Sequence, residues 1–489
     1  MGTLHRSPNV TRHVPVWLAV VAASLPMFMA TLDNLVVTSA LPVIHAELGA
    51  SMEDLQWITN AYTLAFAALM LLAVGLGDRY GRRHVFIAGI TTFTVASALC
   101  AVSTDSTALI AARALEGIGA AAIMPLSLTL LVGSVADRFR SLAIGIWGGV
   151  SGLGVALGPL IGGAVVEGWN WQAIFWINVP VGVVAIPLAL FALPNSLGAR
   201  VRADVLGVLL ASLGVLALVF GIVRGNEAGW SSVQVVTALV AAAVLLAGFL
   251  VRESLTDHPL LPLRLFRDRS FSLANAVGAT FSFGAFGAVF VLIQFLQVVQ
   301  GKSPLEAGVA TMPWTLAPMV IAPLAGLLAP RVGTRTLIVA GMLFLSAGLF
   351  EIALTMDAGV SYLTMLPGFI AAGLGMGLAF APLSTAVLSA MNPDDHAKAS
   401  GTNSTLREIG VALGIAVLTA VFTGAGGELT PTGYVSAAVP AILVGAGAVL
   451  LAAVLAAFLP SGRTSATPAG DAHVPLQRKQ PSTVPLTPA

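Results

Sequence analysis

The chain is 489 residues long, 57% hydrophobic and 9% charged, with a formal net charge of +1. A soluble domain carries roughly 25% charged residues, so this apolar excess has to face lipid, and the lack of a basic stripe excludes a nucleic-acid binder. The single cysteine, Cys100, and seven histidines confined to tails and predicted loops exclude an intrachain disulfide, a cysteine-ligated metal cluster and a membrane haem site. Leu296 stands where a phosphate-binding loop ending in Gly301-Lys302-Ser303 would need its first glycine.

A helix needs about 20 apolar residues to cross about 30 Å of hydrocarbon. The distances between charges mark fourteen such segments, near 16–41, 55–77, 84–104, 106–132, 142–165, 171–193, 205–223, 233–251, 271–299, 305–329, 336–356, 361–391, 401–423 and 433–459. The first is too long, and too poor in a small-residue cleavage site before Asp33, for a removable leader, so it reads as a span. Arg6 stands where a myristoylation signal wants Ser or Thr. An even number of spans places both termini on one side. Of 23 basic residues, 19 fall in the tails and alternate loops, from Arg6 and Arg12 through Arg138, Arg140, Arg200, Arg202 and Lys398 to Arg463, Arg478 and Lys479. The opposite loops hold only Arg224 and Lys302, so both termini are predicted cytoplasmic. The tail 460–489, rich in Pro, Ser and Thr, is expected to be disordered.

In chain order, span one carries Thr31-Leu32-Asp33-Asn34 and runs to Ala40-Leu41-Pro42, with Asp33 deep between apolar flanks. An intramembrane carboxyl is expensive to bury and is a functional candidate by default. Span two carries Asn60 and Tyr62 and leads into Gly75-Leu-Gly-Asp78-Arg79-Tyr-Gly81-Arg82-Arg83. There Gly81 permits a tight turn, and Asp78 with the arginines can pair with helix ends. Span four carries Leu109, Arg113, Glu116 and Gly117; an arginine so far inside a span should face a carboxylate or a polar cavity, and Glu116 lies on the same helical face. On span five Gly154, Gly158 and Gly162 recur every four residues, giving a smooth face for close packing, while Pro159 adds a kink and Gly163 completes a Gly-Pro-x-x-Gly-Gly run.

The Arg-x-Gly-x-Arg pattern of Arg79, Gly81 and Arg83 returns at Arg331, Gly333 and Arg335 with a constant offset of 252, and Pro-Leu-Ser recurs at 125–127 and 382–384. Two related halves are implied. They are expected at 15–199 and 270–459, with a helix pair at 200–252 inserted between them, a cytoplasmic linker at 253–269 and a cytoplasmic N-terminal tail at 1–14. Parallel repeats of this kind suit halves that rock about a midplane site. The remaining charges inside spans are Glu351 and the Arg407-Glu408 pair. Phe286, Phe290 and Gln294 share a face of span nine; with Asn60, Tyr62, Trp314, Glu351, Phe380 and Arg407 they are the candidate cavity contacts, an aromatic and weakly polar set suited to amphipathic or cationic ligands.

On these residues the chain resembles the major facilitator superfamily. The loop from Gly75 to Arg83 resembles its Gly-X-Leu-Ala-Asp-Arg-X-Gly-Arg-Lys-Arg signature, which implies a cytoplasmic gate made by Asp78, Arg79, Gly81, Arg82 and Arg83. Leu109 to Gly117 resembles its Leu-X-X-X-Arg-X-X-Gln-Gly motif, associated with proton transfer, and departs from it by placing Glu116 where Gln is usual. Gly154 to Gly163 resembles the motif that marks its proton-driven antiporters. Span one, Trp171 to Gly182 and Arg407 to Gly414 are similar to the fourteen-span drug:proton antiporter group, although Leu35 and Thr38 replace its usual Thr and Asn.

The resemblance implies an all-α polytopic membrane protein of fourteen transmembrane helices, two six-helix bundles plus the inserted pair. It also implies a bacterial cell-membrane location and a carrier, not an enzyme, that uses the proton gradient without cofactor or metal. Asp33, Arg113 and Glu116 are then the proton-coupling residues, with competition between desolvation of Asp33 and the charge of Arg113 as the switch. The expected partners are a small amphipathic or cationic substrate, protons and the bilayer, with no nucleic acid, and the expected state is a monomer. Rival readings are an exporter dedicated to an endogenous metabolite, siderophore or lipid, a proton-coupled uptake symporter, and a membrane sensor or enzyme. Twenty Arg against three Lys point to a GC-rich bacterial genome.

Overall fold

Within lipid every backbone N–H and C=O must be satisfied inside the segment or the bundle, which leaves helices for a chain this apolar. The computed structural model describes residues 15–197, 204–256, 263–389 and 396–460 with positions 259, 261 and 391, and among the described residues there is no strand. The helices are α1 (Val16–Leu48), α2 (Met52–Tyr80), α3 (Arg82–Ala101), α4 (Ser106–Ser134), α5 (Asp137–Gly168), α6 (Ala173–Trp176), α7 (Asn178–Ala192), α8 (Val205–Ala228), α9 (Val233–Leu255), α10 (Arg269–Gln294), α11 (Pro304–Val332), α12 (Thr334–Thr355), α13 (Tyr362–Ser389), α14 (His396–Gly424) and α15 (Pro431–Ala457). The tail expected at 1–14 and, beyond Pro460, the tail expected at 460–489 lie outside the described residues. So do Arg200 and Arg202 of the sidedness count and the side chains of Arg138, Arg140 and Lys398.

Several helix starts follow polar caps. Asp105, Asp204, Ser232 and Asp268 each accept the backbone N–H three residues on, which satisfies one of the orphan donors of a first turn. Every predicted segment coincides with helix, and two are less regular than a charge ruler suggests. Segment 171–193 is broken into α6 and α7 at Ile177, so that Asn178 opens α7. Segment 271–299 ends in a π-helical turn, Phe295–Val299.

Among the described residues twelve helices are long and apolar enough to cross a membrane, or up to 13 when α2, bent by 48° between Met52–Met70 and Leu72–Tyr80, is taken as one span. That is short of the fourteen expected. In α5 only Leu157–Gly168 stands out as an apolar stretch, although the helix itself runs for 32 residues.

The internal repeat is visible as geometry. Gly81 and Gly333 both have positive φ, +107° and +96°, and each donates its N–H to the residue four back, Gly77 and Ala329, at 2.9 Å. The helices entering these turns both begin with a reciprocal capping box, Ser51 with Asp54 and Ser303 with Glu306, again 252 positions apart. Arg83 donates to the carbonyls of Leu190 and Leu193 at the end of α7, and Arg335 donates to the carbonyl of Leu459 just past α15. Each turn is thus pinned to the last helix of its own half.

In the first half α1 packs on α5, α4 and α7, α2 on α4, and α3 on α4 and α7. In the second, α10 packs on α14 and α15, α11 on α13, and α12 on α13 and α15. The halves meet through α5 against α11 and α2 against α14. Helices α8 and α9 pair with each other, and α8 leans on both α2 and α14, where Leu64, Val219, Val223, Ala412 and Ala416 form a small buried cluster.

Candidate functional site

At the centre of the first half lies a buried ion-pair centre assembled from five helices. Arg113 of α4 is fully buried, and its Nη1 donates to Asp33 Oδ2 of α1 at 2.5 Å and to Glu116 Oε2 at 2.6 Å. Both carboxylates have side chains with no exposure. Arg113 Nε donates to the Ile58 carbonyl of α2 at 3.2 Å, and its guanidinium lies 4.4 Å from the Tyr62 ring centroid. Tyr62 in turn donates its hydroxyl to the Ala30 carbonyl at 3.0 Å, tying α2 to α1 directly above Asp33.

The second oxygen of Asp33 is taken as well. Asn178 Nδ2 of α7 donates to Asp33 Oδ1 at 2.9 Å and to Ser97 Oγ of α3 at 3.0 Å, while Ser97 donates to the Phe175 carbonyl at 3.0 Å. Cys100 Sγ reaches Glu116 Oε2 at 3.6 Å. Asp33 therefore accepts two N–H bonds, whereas Glu116 Oε1 and Arg113 Nη2 are buried without a hydrogen-bond partner. Breaking one member of such a buried pair leaves an uncompensated charge, at a cost of about 3–5 kcal/mol.

The glycine stripe of α5 places α1 and fixes this geometry from behind. A Cβ on Gly154, Gly158 or Gly162 would meet Thr31, Leu35 or Val36 of α1 at 3.1, 2.6 and 2.7 Å, so no side chain fits there without moving the helix that carries Asp33. The next position turns to the other half: a Cβ on Gly163 would run into the backbone of Pro304 and Leu305 of α11, and one on Gly308 of α11 would meet the Pro159 carbonyl. Ser39 of α1 donates to the Pro159 carbonyl at 3.2 Å and receives, at its own carbonyl, a bond from Gln297 of the π-helical turn at 2.9 Å.

Consecutive helices run antiparallel, so the C-terminal ends of α1, α5, α8, α10 and α14 and the N-terminal ends of α2 and α11 share one face, termed the distal face. That face is closed. Glu167 Oε2 at the end of α5 accepts from Ser303 Oγ at 2.5 Å and from the Leu305 N–H at 3.3 Å, so a carboxylate of the first half caps a helix of the second. Helix α8 adds a strap, with Arg224 donating to Glu53 of α2 at 2.9 Å and Asn226 donating to the Ala420 carbonyl and the Thr423 hydroxyl of α14.

The loop from Asp78 to Arg83, which the resemblance implies is a gate, sits at the opposite face. Arg82 pairs with Asp78 at 2.7 Å, the Arg82 N–H bonds the Ser196 carbonyl, and the Arg79 guanidinium lies 5.2 Å from the Tyr80 ring. With Arg83 on the end of α7, the loop residues described are bonded within their own half.

Residues 23–415 match the family described as Major Facilitator Superfamily, over most of the chain. The chain belongs to the major facilitator superfamily. Superfamily relatives include a Mycobacterium tuberculosis protein named multidrug resistance protein Stp, 36% identical over 406 residues, which are 83% of this chain and 75% of that protein. The tetracenomycin C resistance and export protein of Streptomyces glaucescens is 33% identical over 448 residues, 90% of this chain and 83% of its own length. The methylenomycin A resistance protein of Streptomyces coelicolor is 32% identical over 412 residues, 83% of this chain and 86% of its own. The chain is thus a multi-pass membrane protein of a transporter superfamily whose bacterial relatives carry multidrug and antibiotic resistance names.

The structure brings together some of the predicted cavity residues of this superfamily member and separates others. Arg407 of α14 lies with its guanidinium 4.6 Å from the Phe380 ring of α13, and Trp314 helps line a small apolar cavity together with Pro159 and Phe369. Asn60 is fully buried with both amide atoms unpartnered. Tyr62 is buried in the ion-pair centre, with its ring against the Arg113 guanidinium. Phe290 and Gln294 are buried in the helix core, with Gln294 Nε2 on the Phe290 carbonyl at 3.0 Å, and Phe286 is partly buried beside them. Glu351 is set apart: its Oε2 lies against Gly368, between α12 and α13. Asn178, Ser97, Glu167 and Gln297 have structural roles that a search for charged residues inside spans passes over, because three of them are neutral and Glu167 lies at a span end.

Proposed function

We propose that this protein exports amphipathic drugs or antibiotics in exchange for protons by alternating access, with Asp33 and Arg113 as its coupling pair. The observation that carries this reading is the centre itself: two buried carboxylates share one guanidinium nitrogen. Ionised together they leave one net negative charge out of water, which one proton neutralises. Protonation of Asp33 removes its attraction for Arg113 and weakens the bonds from Arg113 and Asn178, which loosens α1 against α4 and α7. Because α1 also carries Ser39 to the distal junction, a proton at Asp33 is placed to act on the closure between halves.

The proposed topology has fourteen spans, counting the twelve apolar helices with bent α2 and the 32-residue α5, and divides the chain into two six-helix bundles with α8 and α9 inserted. Both termini are cytoplasmic in this reading, so the distal face is extracellular and the structure is the state closed to the outside. The resistance and export names of the relatives support outward transport of small molecules. No cofactor is required. One proton entering down a membrane potential supplies about 2.3 kcal/mol per 100 mV, roughly a fiftyfold accumulation ratio. The test is uptake of an amphipathic cation and of an aromatic antibiotic into everted vesicles: an imposed acid interior drives accumulation that collapses with a protonophore. Transport in the opposite sense, or dependence on ATP with the gradient absent, would overturn it.

A further inference from the structure

The hydrogen bonds of the centre distinguish its two carboxylates. Amide and guanidinium groups are obligate donors, and both oxygens of Asp33 face such groups, Asn178 Nδ2 at 2.9 Å and Arg113 Nη1 at 2.5 Å. A proton on either oxygen would point at another N–H, so in this arrangement Asp33 is ionised. Glu116 differs. Its Oε2 receives Arg113 and Cys100, but its Oε1 is fully buried and no donor points at it. Ser97 of α3 gives its one proton to the Phe175 carbonyl and accepts from Asn178, so it has no proton left to donate to a carboxylate. The other charged or titratable groups facing Glu116 are Arg113 on its own helix, Asp33 from α1, Cys100 from α3 and Tyr62 from α2.

We propose that the proton resident in this state of the protein is held by Glu116 on Oε1, and that Glu116 passes one proton on as Asp33 accepts another. Protonated Glu116 is isoelectric with the glutamine usual in the motif that this segment resembles, so the resting centre is neutral, Asp33 negative and Arg113 positive. When an incoming proton bonds to an Asp33 oxygen, the Arg113 contact there breaks, and Arg113 is left with Glu116 as its only carboxyl partner. The Glu116 O–H bond then breaks and its proton leaves to a water. One proton is present before and after; the centre is neutral at both ends of the step, and the positive charge left between them by protonation of Asp33 is what expels the Glu116 proton. With glutamine in that place the same event would leave a buried positive charge. The residue that departs from the motif therefore turns a single proton site into a two-carboxyl relay. This inference rests on Asp33 being the coupling residue.

Infrared spectroscopy of substrate-free protein in lipid tests it without transport. The proposal expects a protonated-carboxyl carbonyl band that shifts on ¹³C labelling of glutamate and on deuterium exchange and is lost from Glu116→Gln. A band that shifts on ¹³C labelling of aspartate and survives Glu116→Gln would overturn it, as would the absence of any Glu116-dependent band. Should Glu116→Gln fail to fold, Glu116→Asp is read instead, and the band must then move from the glutamate to the aspartate label. Loss of gradient-driven export in Asp33→Asn together with an aspartate-borne band would keep the coupling reading and discard the relay.

Discussion

Gly81 and Gly333 turn the chain in the same way 252 positions apart, yet only one of them is crowded. A Cβ on Gly81 would meet Asn195 Oδ1 at 2.6 Å, whereas one on Gly333 has nothing nearer than Thr336 Oγ1 at 3.8 Å. Positive φ disfavours any side chain by about 1–2 kcal/mol. Gly333→Ala should lose that amount alone and Gly81→Ala more, so thermal unfolding in detergent should show the larger drop for Gly81→Ala. Equal drops would mean that the two turns are not packed as described.

Gly163 is predicted to be intolerant where Gly168, one turn on, is not. A Cβ at Gly163 collides with the backbone of Pro304 and Leu305, while one at Gly168 meets open space. Gly163→Ala should therefore separate α5 from α11 and expose Ser39, which is buried at that junction. The readout is labelling of Ser39→Cys by a membrane-impermeant maleimide in a Cys100→Ala background. Labelling should rise in Gly163→Ala and stay at the background level in Gly168→Ala.

Glu167 holds the same face by a different means. Its carboxylate takes the Ser303 hydroxyl and the Leu305 N–H, and a hydrogen bond to a charged group contributes about 1.5–3 kcal/mol. Glu167→Gln should raise labelling of Ser39→Cys about tenfold, since 1.4 kcal/mol is a factor of about ten. Unchanged labelling would show that the backbone contact at Gly163 closes the face unaided.

Asn178 is a positioning residue for Asp33. Asn178→Ala strands Asp33 Oδ1 without a donor, a penalty of about 1–3 kcal/mol, and Asn178→Asp sets a further carboxyl against it. Gradient-driven export should fall in both, more steeply in Asn178→Asp, and its pH profile should move. A fall in rate with an unmoved profile would assign Asn178 to packing alone.

Much of this architecture was legible from where the few charges stand. Asp33 and Arg113 are expensive in lipid, so the sequence marks them, and burial forces them together although 80 positions separate them. The three-residue spacing of Arg113 and Glu116 on one helical face is legible in the sequence, and the two do pair. The bare Oε1 of Glu116 could not be read from spacing, because it depends on donors from α1, α3 and α7. Asn178 lies inside the Trp171 to Gly182 segment, but a neutral amide carries no charge signal, and its position follows from the break at Ile177. The capping boxes at Ser51 and Ser303 were legible as Ser-x-x-Asp and Ser-x-x-Glu, and their shared offset would have strengthened the repeat. A charge inside a span can also sit between two neighbouring helices, as Glu351 does against Gly368 between α12 and α13.

In the proposed cycle Asp33 converts the proton gradient into outward transport. The direct measurement compares Asp33→Asn with the unmodified protein in proteoliposomes, for export driven by an imposed pH gradient and for substrate exchange without a gradient. Gradient-driven export should fall by about tenfold or more while exchange persists. Full gradient-dependent export by Asp33→Asn would contradict it.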